Sequence, residues 1–208
     1  MFGIINLPAF LVAGLLFILT PGADTMYILG RSIAQGKKAG VYSVLGIVTG
    51  TLIHITLVAF GLSLIIAKSL FVFNLVKYVG AAYLVWLGIK MLLAKPLNTE
   101  VEVPKVSSHK VYISGVLTNL FNPKVVLFFL VFLPQFVKTS EAHNPVPFLI
   151  LGVIFTIPGT IWCLMLVIFA AKLSQKIKGN NKIAVRLNQI TGGVFIALGI
   201  RLATLAKG

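Results

Sequence analysis

Six apolar runs, each long enough to cross a lipid bilayer, recur along this chain of 208 residues. A membrane helix needs about 20 consecutive apolar residues, because the hydrocarbon core is roughly 30 Å thick. Only 11% of the residues are charged, whereas about a quarter are charged in an ordinary soluble domain. The sequence therefore predicts an all-α integral membrane protein with six transmembrane helices in a single transmembrane domain, residues 1–208. The predicted spans are 5–30, 41–66, 70–93, 111–136, 147–171 and 185–206.

The basic residues lie mainly between the apolar runs and mainly on one side of the predicted membrane. The chain has 18 Lys and Arg residues against 4 Asp and Glu residues, a formal net charge of +14. In a soluble domain this excess would suggest nucleic-acid binding. Here the positive loops meet membrane lipid headgroups, and no nucleic-acid partner is predicted. Because cytoplasmic loops carry the excess of Lys and Arg, and the connections after spans one, three and five are the basic ones, both termini are predicted to be periplasmic.

The two halves of the chain resemble each other in sequence. The segment VGAAYLVWLGIKML in span three aligns without a gap with ITGGVFIALGIRLA in span six. Spans one and four each carry a proline, and spans two and five each carry a Gly-Thr step: Pro21, Pro123, Gly50-Thr51 and Gly159-Thr160. Chance similarity between Gly- and Leu-rich helices is the alternative for any one pair. The shared order of the features favours a repeat.

Three spans per half is an odd number, so the second half enters the membrane from the opposite side. We therefore predict two inverted three-helix repeats, residues 1–94 and 111–208, joined by a polar loop at 95–110. Inverted repeats are a common plan of secondary transporters, which bind substrates and coupling ions near the middle of the bilayer at discontinuous helices.

Spans one and four are predicted to be broken helices. Pro21-Gly22 interrupts the first, and Pro123, which follows Asn122, interrupts the fourth. Proline removes one backbone hydrogen bond and clashes with the preceding turn, and the freed carbonyl groups cannot turn towards lipid. Each helix that resumes after a break begins with free N–H groups and partial positive charge. Two such ends, one from each repeat, are expected to converge and to suit a carboxylate.

Asp24, which follows the first break, is the only acidic residue in any predicted span. A carboxylate within the bilayer is costly unless it is paired, solvated or protonated, and it is a functional candidate by default. Beside two helix ends, Asp24 would complement a zwitterionic substrate. Asp24 would bind the ammonium of the substrate, and the helix ends would bind the carboxylate of the substrate. Asp24 is also a candidate proton site for an antiporter. The alternative is that it only caps the resumed helix.

Four further polar residues lie near the breaks or in span two. Lys124 is predicted either to pair with Asp24, to bind the substrate carboxylate, or to extend towards the membrane interface. The side chains of Asn119 and Asn122 are predicted either to contact the substrate or to hydrogen-bond the backbone groups freed by the break. His54 is predicted either to relay protons or to have its ring hydrogen-bonded by a backbone carbonyl or by Thr51. The predicted substrate- and proton-binding residues are Asp24, Lys124, Asn119, Asn122 and His54, and the predicted helix breaks are at Pro21, Gly22 and Pro123.

These residues resemble the lysine exporter and homoserine-threonine exporter superfamily, LysE/RhtB, over nearly the whole chain. The matching segments are PGAD at 21–24, GKKAGVYSVLGIVTGTLIH at 36–54, VGAAYLVWLGIKML at 79–92 and LTNLFNPKVVLFFLVFLPQF at 117–136. The resemblance implies a six-helix exporter in the bacterial inner membrane, driven by the proton-motive force, for small neutral amino acids of the threonine, homoserine or leucine type. Ala23 departs from the family, which usually has a second proline there, so a softer first break is expected.

Other classes of function fit the residues less well. There is no H-E-x-x-H zinc motif, Asp24 lacks the second carboxylate of an aspartyl mechanism, and Cys163 is the only cysteine. We therefore predict no enzyme, no metal and no cofactor. An uncoupled membrane channel or a lipid scramblase of the same topology is the alternative function. Glycines spaced by four residues allow close helix approach, which we assign to packing within one chain, with a homodimer as the alternative.

Overall fold

The computed structural model describes residues 3–62 and 105–179, together with isolated positions from Tyr78 to Leu93 and from Gln189 to Ala203. Most of predicted spans three and six, and most of the 95–110 loop, therefore lies outside the described residues. The predicted similarity of spans three and six falls on these residues as well. The described parts of the chain are helical, apart from turns and one isolated antiparallel bridge between Ile4 and Val137.

The first apolar run forms helix α1, Leu7–Leu19, and is then interrupted. Pro8 lies in the first turn, where the N–H that proline lacks has no intrahelical acceptor. Thr20 and Gly22 have extended backbone conformations, and helix α2, Ala23–Thr56, starts directly after Gly22. Span one is thus broken where the Pro21-Gly22 pair predicts. The break is complete even though Ala23 follows it.

Helix α2 contains a chain reversal at Gly36. Gly36 has φ 80° and ψ 179°, a backbone conformation that is essentially restricted to glycine. In a straight helix Ser32 and Gly40 would lie roughly 12 Å apart along the axis. Instead, a Cβ at Gly40 would overlap the hydroxyl oxygen of Ser32. Helix α2 therefore consists of two antiparallel arms, residues 23–35 and 37–56.

The two arms of α2 belong to different predicted spans. The first arm extends predicted span one to residue 35 rather than 30. The second arm begins directly after Gly36 and continues into a π-helical turn, Leu57–Leu62. Predicted span two therefore starts earlier than residue 41, and its last residues lie outside the described part of the chain.

Predicted span four is also broken. Helix α3, Ser108–Leu120, starts before residue 111, and helix α4, Pro123–Leu127, begins after Asn122. Helix α4 continues as a π-helical turn, Phe128–Phe132, and a 3-10 turn, Leu133–Phe136. The two pieces of this span are bent by 51°. The break falls where the Asn122-Pro123 pair predicts.

Helix α5, Pro145–Gly179, follows a short 3-10 turn, Thr139–Glu141, and is longer at both ends than predicted span five. By length and composition, two helical segments in the described parts of the chain could cross a membrane: Ala23–Gly61, which includes the reversal at Gly36, and Pro145–Ala170. The bent pair of α3 with Lys124–Phe136 makes a third if it is counted as one span. Six spans and inverted repeats stay predictions.

Helices α2 and α3 approach each other through glycines. A Cβ at Gly46 would overlap the Tyr112 carbonyl oxygen, and a Cβ at Gly115 would lie 2.9 Å from the Ser43 carbonyl oxygen. Real side chains do not fit such spaces without movement of the backbone. These contacts support the interpretation of the glycine spacing as packing within one chain; a homodimer stays a prediction.

Two apolar clusters flank the middle of the bundle. The hairpin cluster joins both arms of α2 to α5, and the phenylalanine cluster joins α1, α4 with its π-helical continuation, and α5, with ring centroids 4.3 to 6.3 Å apart. Along α5, the segment between Phe155 and Leu166 separates the two clusters. The hairpin cluster contains Ile28, Leu29, Val44, Ile47, Leu166, Val167 and Ala170. The phenylalanine cluster contains Phe10, Phe17, Phe128, Phe129, Phe132, Phe136 and Phe155.

Candidate functional site

The two helix breaks lie against each other, between the two apolar clusters. The Lys124 ammonium, at the start of α4, donates to the carbonyl oxygens of Phe17 at 2.8 Å and Thr20 at 2.9 Å, at the end of α1. The last turn of a helix leaves carbonyl groups without intrahelical partners and carries partial negative charge. The Lys124 Nζ also lies 4.2 Å from the centroid of the Phe17 ring. Lys124 therefore caps α1.

Two asparagines at the second break bind Asp24 at the first. The Asn119 side-chain amide donates to Asp24 Oδ2 at 2.8 Å, and the Asn122 amide donates to Asp24 Oδ1 at 3.0 Å. The Asn122 Oδ1 meanwhile accepts from the backbone N–H of Lys124 at 3.1 Å and caps α4. Asn119 and Asn122 are 1% and 5% exposed, respectively. Neutral amides thus orient the carboxylate and leave its charge available to a cation.

Asp24 lies in the first turn of α2. The first hydrogen bond there runs from the Met26 N–H to the Gly22 carbonyl oxygen at 3.0 Å. The N–H groups of residues 23–25 precede it and, as in any helix, have no intrahelical acceptor. The positive end of a helix stabilises an adjacent carboxylate, so the backbone of α2 favours an acid at this position.

The second arm of α2 supports Asn119. The Thr51 hydroxyl lies 3.5 Å from Asn119 Oδ1, and His54 Nε2 lies 3.4 Å from the Asn119 carbonyl oxygen. The His54 ring stacks on Phe129, with planes 8° apart and centroids 5.9 Å apart. A Cβ at Gly50 would lie 2.7 Å from Asn119 Oδ1, so glycine makes room for the amide. Asn119 thus lies between His54, which approaches its backbone carbonyl, and Asp24, which accepts from its side chain.

A cavity of about 80 Å³ lies beside these residues. It has room for several water molecules. One part of its wall is polar and the other is apolar, and helix α5 contributes to both. The polar wall contains Thr20, Asp24, Thr25, Thr51, Asn119, Asn122, Lys124, Thr156 and Thr160. The apolar wall contains Phe17, Ile18, Ile47, Val48, Val125, Phe155, Trp162 and Cys163.

Comparison with known proteins places this arrangement in a family. Residues 15–206, nearly the whole chain, match the family described as LysE type translocator. The chain belongs to the LysE-type translocator family. This translocator is therefore a multi-pass membrane protein of a transport family rather than of an enzyme family, which agrees with its apolar helices.

Similar proteins come from several bacteria. The translocator is 32% identical over 206 residues to the uncharacterized membrane protein YrhP of Bacillus subtilis, with 94% of this chain and 97% of the relative covered. It is 33% identical over 197 residues to an uncharacterized membrane protein of Vibrio cholerae, with 94% and 95% covered. It is 31% identical over 209 residues to the leucine efflux protein of Salmonella typhimurium, with 98% and 97% covered. No solved structure matches the translocator.

The structure brings the site residues predicted from sequence into one network. Asp24 contacts Asn119 and Asn122, Lys124 contacts Asn122, and His54 contacts Asn119. The two Lys124 side-chain hydrogen bonds go to carbonyl oxygens of the α1 end rather than to Asp24. The roles of these five residues in transport stay predictions.

Sequence reasoning missed the wall of the cavity that α5 contributes. Thr156, Gly159, Thr160, Trp162 and Cys163 line the cavity, and their spacing of three to four residues places them on one helix face. From sequence, the Gly159-Thr160 step indicates only the repeat. The other available signal was an indole inside an apolar run, because a buried tryptophan N–H usually needs an acceptor.

Proposed function

We propose that this translocator is a secondary active exporter of neutral amino acids, coupled to proton antiport, in the bacterial inner membrane. The family supports transport, and the name of a 31% identical relative, a leucine efflux protein, supports a leucine-like substrate. Threonine- and homoserine-like substrates are included on the resemblance stated above. One observation carries the proposal: the Asp24 carboxylate is held by two neutral amides beside a cavity between two helix breaks.

In this proposal the substrate is bound as a zwitterion. Its ammonium binds Asp24, whose two oxygens are oriented by amides and carry no hydrogen bond from Lys124. Its carboxylate binds the free N–H groups at the start of α2 and the remaining N–H of Lys124. An ammonium group has three donors, and the Phe17 and Thr20 carbonyl oxygens use two of them.

The apolar wall favours a neutral side chain. Ile18, Val48 and Phe155 offer aliphatic and aromatic surface. Among the cavity-lining residues that the structure describes, Asp24 is the only acidic one. Once Asp24 binds the α-ammonium, a second cationic group has no partner, and the desolvation of an unpaired charge is costly. The cavity therefore favours an aliphatic substrate over lysine or arginine.

Antiport follows from competition for one carboxylate. A proton and the substrate ammonium both bind Asp24, and each excludes the other. Release of the substrate on one side and protonation of Asp24 from that side complete one exchange. We propose His54 as the proton relay, because it is a titratable side chain 3.4 Å from the backbone carbonyl oxygen of Asn119, the residue whose side-chain amide binds Asp24. Intramembrane acidic and histidine residues commonly serve as proton relays.

The test is export by purified protein in liposomes loaded with labelled leucine, with and without a pH gradient. The gradient should accelerate wild-type efflux. Asp24→Asn should lower efflux by roughly tenfold or more, since a hydrogen bond to a charged group contributes about 1.5–3 kcal/mol. The control is Glu141→Gln, the same chemical change in a residue that precedes α5 and does not line the cavity.

Each outcome has a separate meaning. Efflux by Asp24→Asn at the wild-type rate would refute the role of Asp24. Wild-type efflux of leucine that is the same with and without the gradient would indicate an uncoupled channel. Movement of fluorescent lipid between leaflets, without amino-acid efflux, would indicate a scramblase.

A further inference from the structure

Trp162 lines the cavity and carries an unpaired, buried hydrogen-bond donor beside it. The residue lines the cavity, and its ring packs against the hairpin cluster. Its indole N–H is buried and has no acceptor within the part of the chain that the structure describes. A buried donor without an acceptor costs about 1–3 kcal/mol. The natural acceptor is a molecule that enters the cavity.

Neighbouring donors in the same wall are already engaged. The Thr156 hydroxyl donates to the Gly152 carbonyl oxygen at 2.7 Å, and the Thr160 hydroxyl donates to the Thr156 carbonyl oxygen at 2.8 Å. Hydroxyl groups that bond back to the helix in this way have no second proton to give. On this face of α5, the Cys163 thiol is only a weak donor, so the strong donor left for a ligand is the Trp162 indole.

We propose that the Trp162 N–H donates a hydrogen bond to the carboxylate of the transported amino acid. The inference rests on the proposed function, and it identifies which end of the substrate Trp162 binds. An ammonium group only donates, and an aliphatic side chain neither donates nor accepts. The carboxylate is therefore the only acceptor that a leucine-like substrate offers to an indole.

Binding also changes the packing of Trp162. The indole N–H is covered in this conformation, so the ring must turn to reach a carboxylate in the cavity. The same ring packs against the hairpin cluster, which joins α5 to both arms of α2. Binding of a carboxylate in the cavity therefore alters the contacts of this cluster, and the indole reports that binding.

The test compares wild-type protein with Trp162→Phe, both purified in detergent, by calorimetric titration. The probes are leucine, threonine and homoserine, and 3-methylbutylamine, which is leucine without its carboxylate. Trp162→Phe should weaken binding of leucine roughly tenfold or more. Its affinity for the amine should equal that of the wild type. Trp86→Phe, the same substitution at the other tryptophan, should change neither affinity, because Trp86 does not line the cavity.

Trp86→Phe provides a second measurement that does not require a Trp162 variant. Trp162 is then the only tryptophan in the chain. Its fluorescence emission should shift on saturation with the amino acid and stay constant with 3-methylbutylamine. This fluorescence measurement tests the hydrogen bond to the carboxylate even if Trp162→Phe does not elute as a folded, monodisperse protein.

Four results would overturn the inference. Unchanged amino-acid affinity in Trp162→Phe would exclude the hydrogen bond, as would constant Trp162 emission on saturation. Equal weakening for the amino acid and the amine would show that the ring contributes only packing. A wild-type protein that binds none of the three amino acids would refute the proposed substrate class itself, and this inference with it.

Discussion

Asp24 and Lys124 are charged residues within apolar segments, and each has partners that make its position tolerable. Charged side chains at membrane depth are expensive unless they are paired, solvated or satisfied by backbone groups. Asp24 has two side-chain amides and the start of α2, whereas Lys124 has two carbonyl oxygens at the end of α1. The two charges are thus held by different partners, which leaves the carboxylate accessible to a cationic ligand.

The capping role of Lys124 predicts a stability effect at the residue scale. Lys124→Met keeps an unbranched side chain one atom shorter and removes two charge-assisted hydrogen bonds. The free energy of unfolding should fall by roughly 1–3 kcal/mol, measured as a lower melting temperature in detergent. Lys138→Met is the control, because Lys138 is exposed in the turn that precedes α5. A wild-type melting temperature combined with weaker leucine binding would show that Lys124 serves the substrate rather than α1.

At the scale of the helices, the two breaks are complementary. A break exposes backbone groups that lipid cannot satisfy, and each break here supplies partners for the other. Lys124 caps the end of α1, Asn122 caps α4, and Asn119 and Asn122 orient Asp24 at the start of α2. Each break is satisfied in large part by residues of the other, so the pair forms one structural unit around the cavity.

The chain reversal within α2 predicts a requirement for glycine at position 36. Gly36→Ala should destabilise the fold by about 1–3 kcal/mol, because a side chain strains this backbone conformation even though no atom lies within 4 Å of the added Cβ. The measurement is the melting temperature in detergent. Gly61→Ala should melt like the wild type, since Gly61 also has open space and has no positive φ. Equal melting of both variants would contradict the strained turn.

At the scale of the whole molecule, the cavity lies between the phenylalanine cluster and the hairpin cluster. In the export cycle proposed above, the substrate passes both clusters, and they open in turn. We propose the six-span arrangement, with two inverted repeats in one domain and periplasmic termini. The Gly36 turn, with Arg31, Lys37 and Lys38 close by in sequence, then lies at the cytoplasmic face.

This topology predicts which side of the membrane the 95–110 loop occupies. In a Cys163→Ala background, Glu102→Cys should react with a membrane-impermeant maleimide only after the cells are lysed. Thr139→Cys, exposed before α5, should react in intact cells. Labelling of Glu102→Cys in intact cells, with Thr139→Cys protected, would reverse the assigned orientation. Labelling of both from the same side would contradict the inverted arrangement.

Several features of the fold and the site could be predicted from local sequence. The breaks at Pro21-Gly22 and at Asn122-Pro123 lie where proline geometry puts them. The partner of Lys124 could not be predicted, because Phe17 is 107 positions away and a carbonyl oxygen is present at every residue. The wall formed by Trp162 was missed for a similar reason, since an apolar run does not show which of its faces meets a cavity.

The sequence by itself determined that this chain belongs in a bilayer and where two of its helices are interrupted. Those properties depend on apolar length and on proline, which act over a few neighbouring residues. Only the tertiary structure decided that the interruptions cap each other, that Asp24 is held by amides rather than by Lys124, and that an indole lies beside the cavity. Those contacts join residues about a hundred positions apart, and they exist only because the helices pack in one particular way.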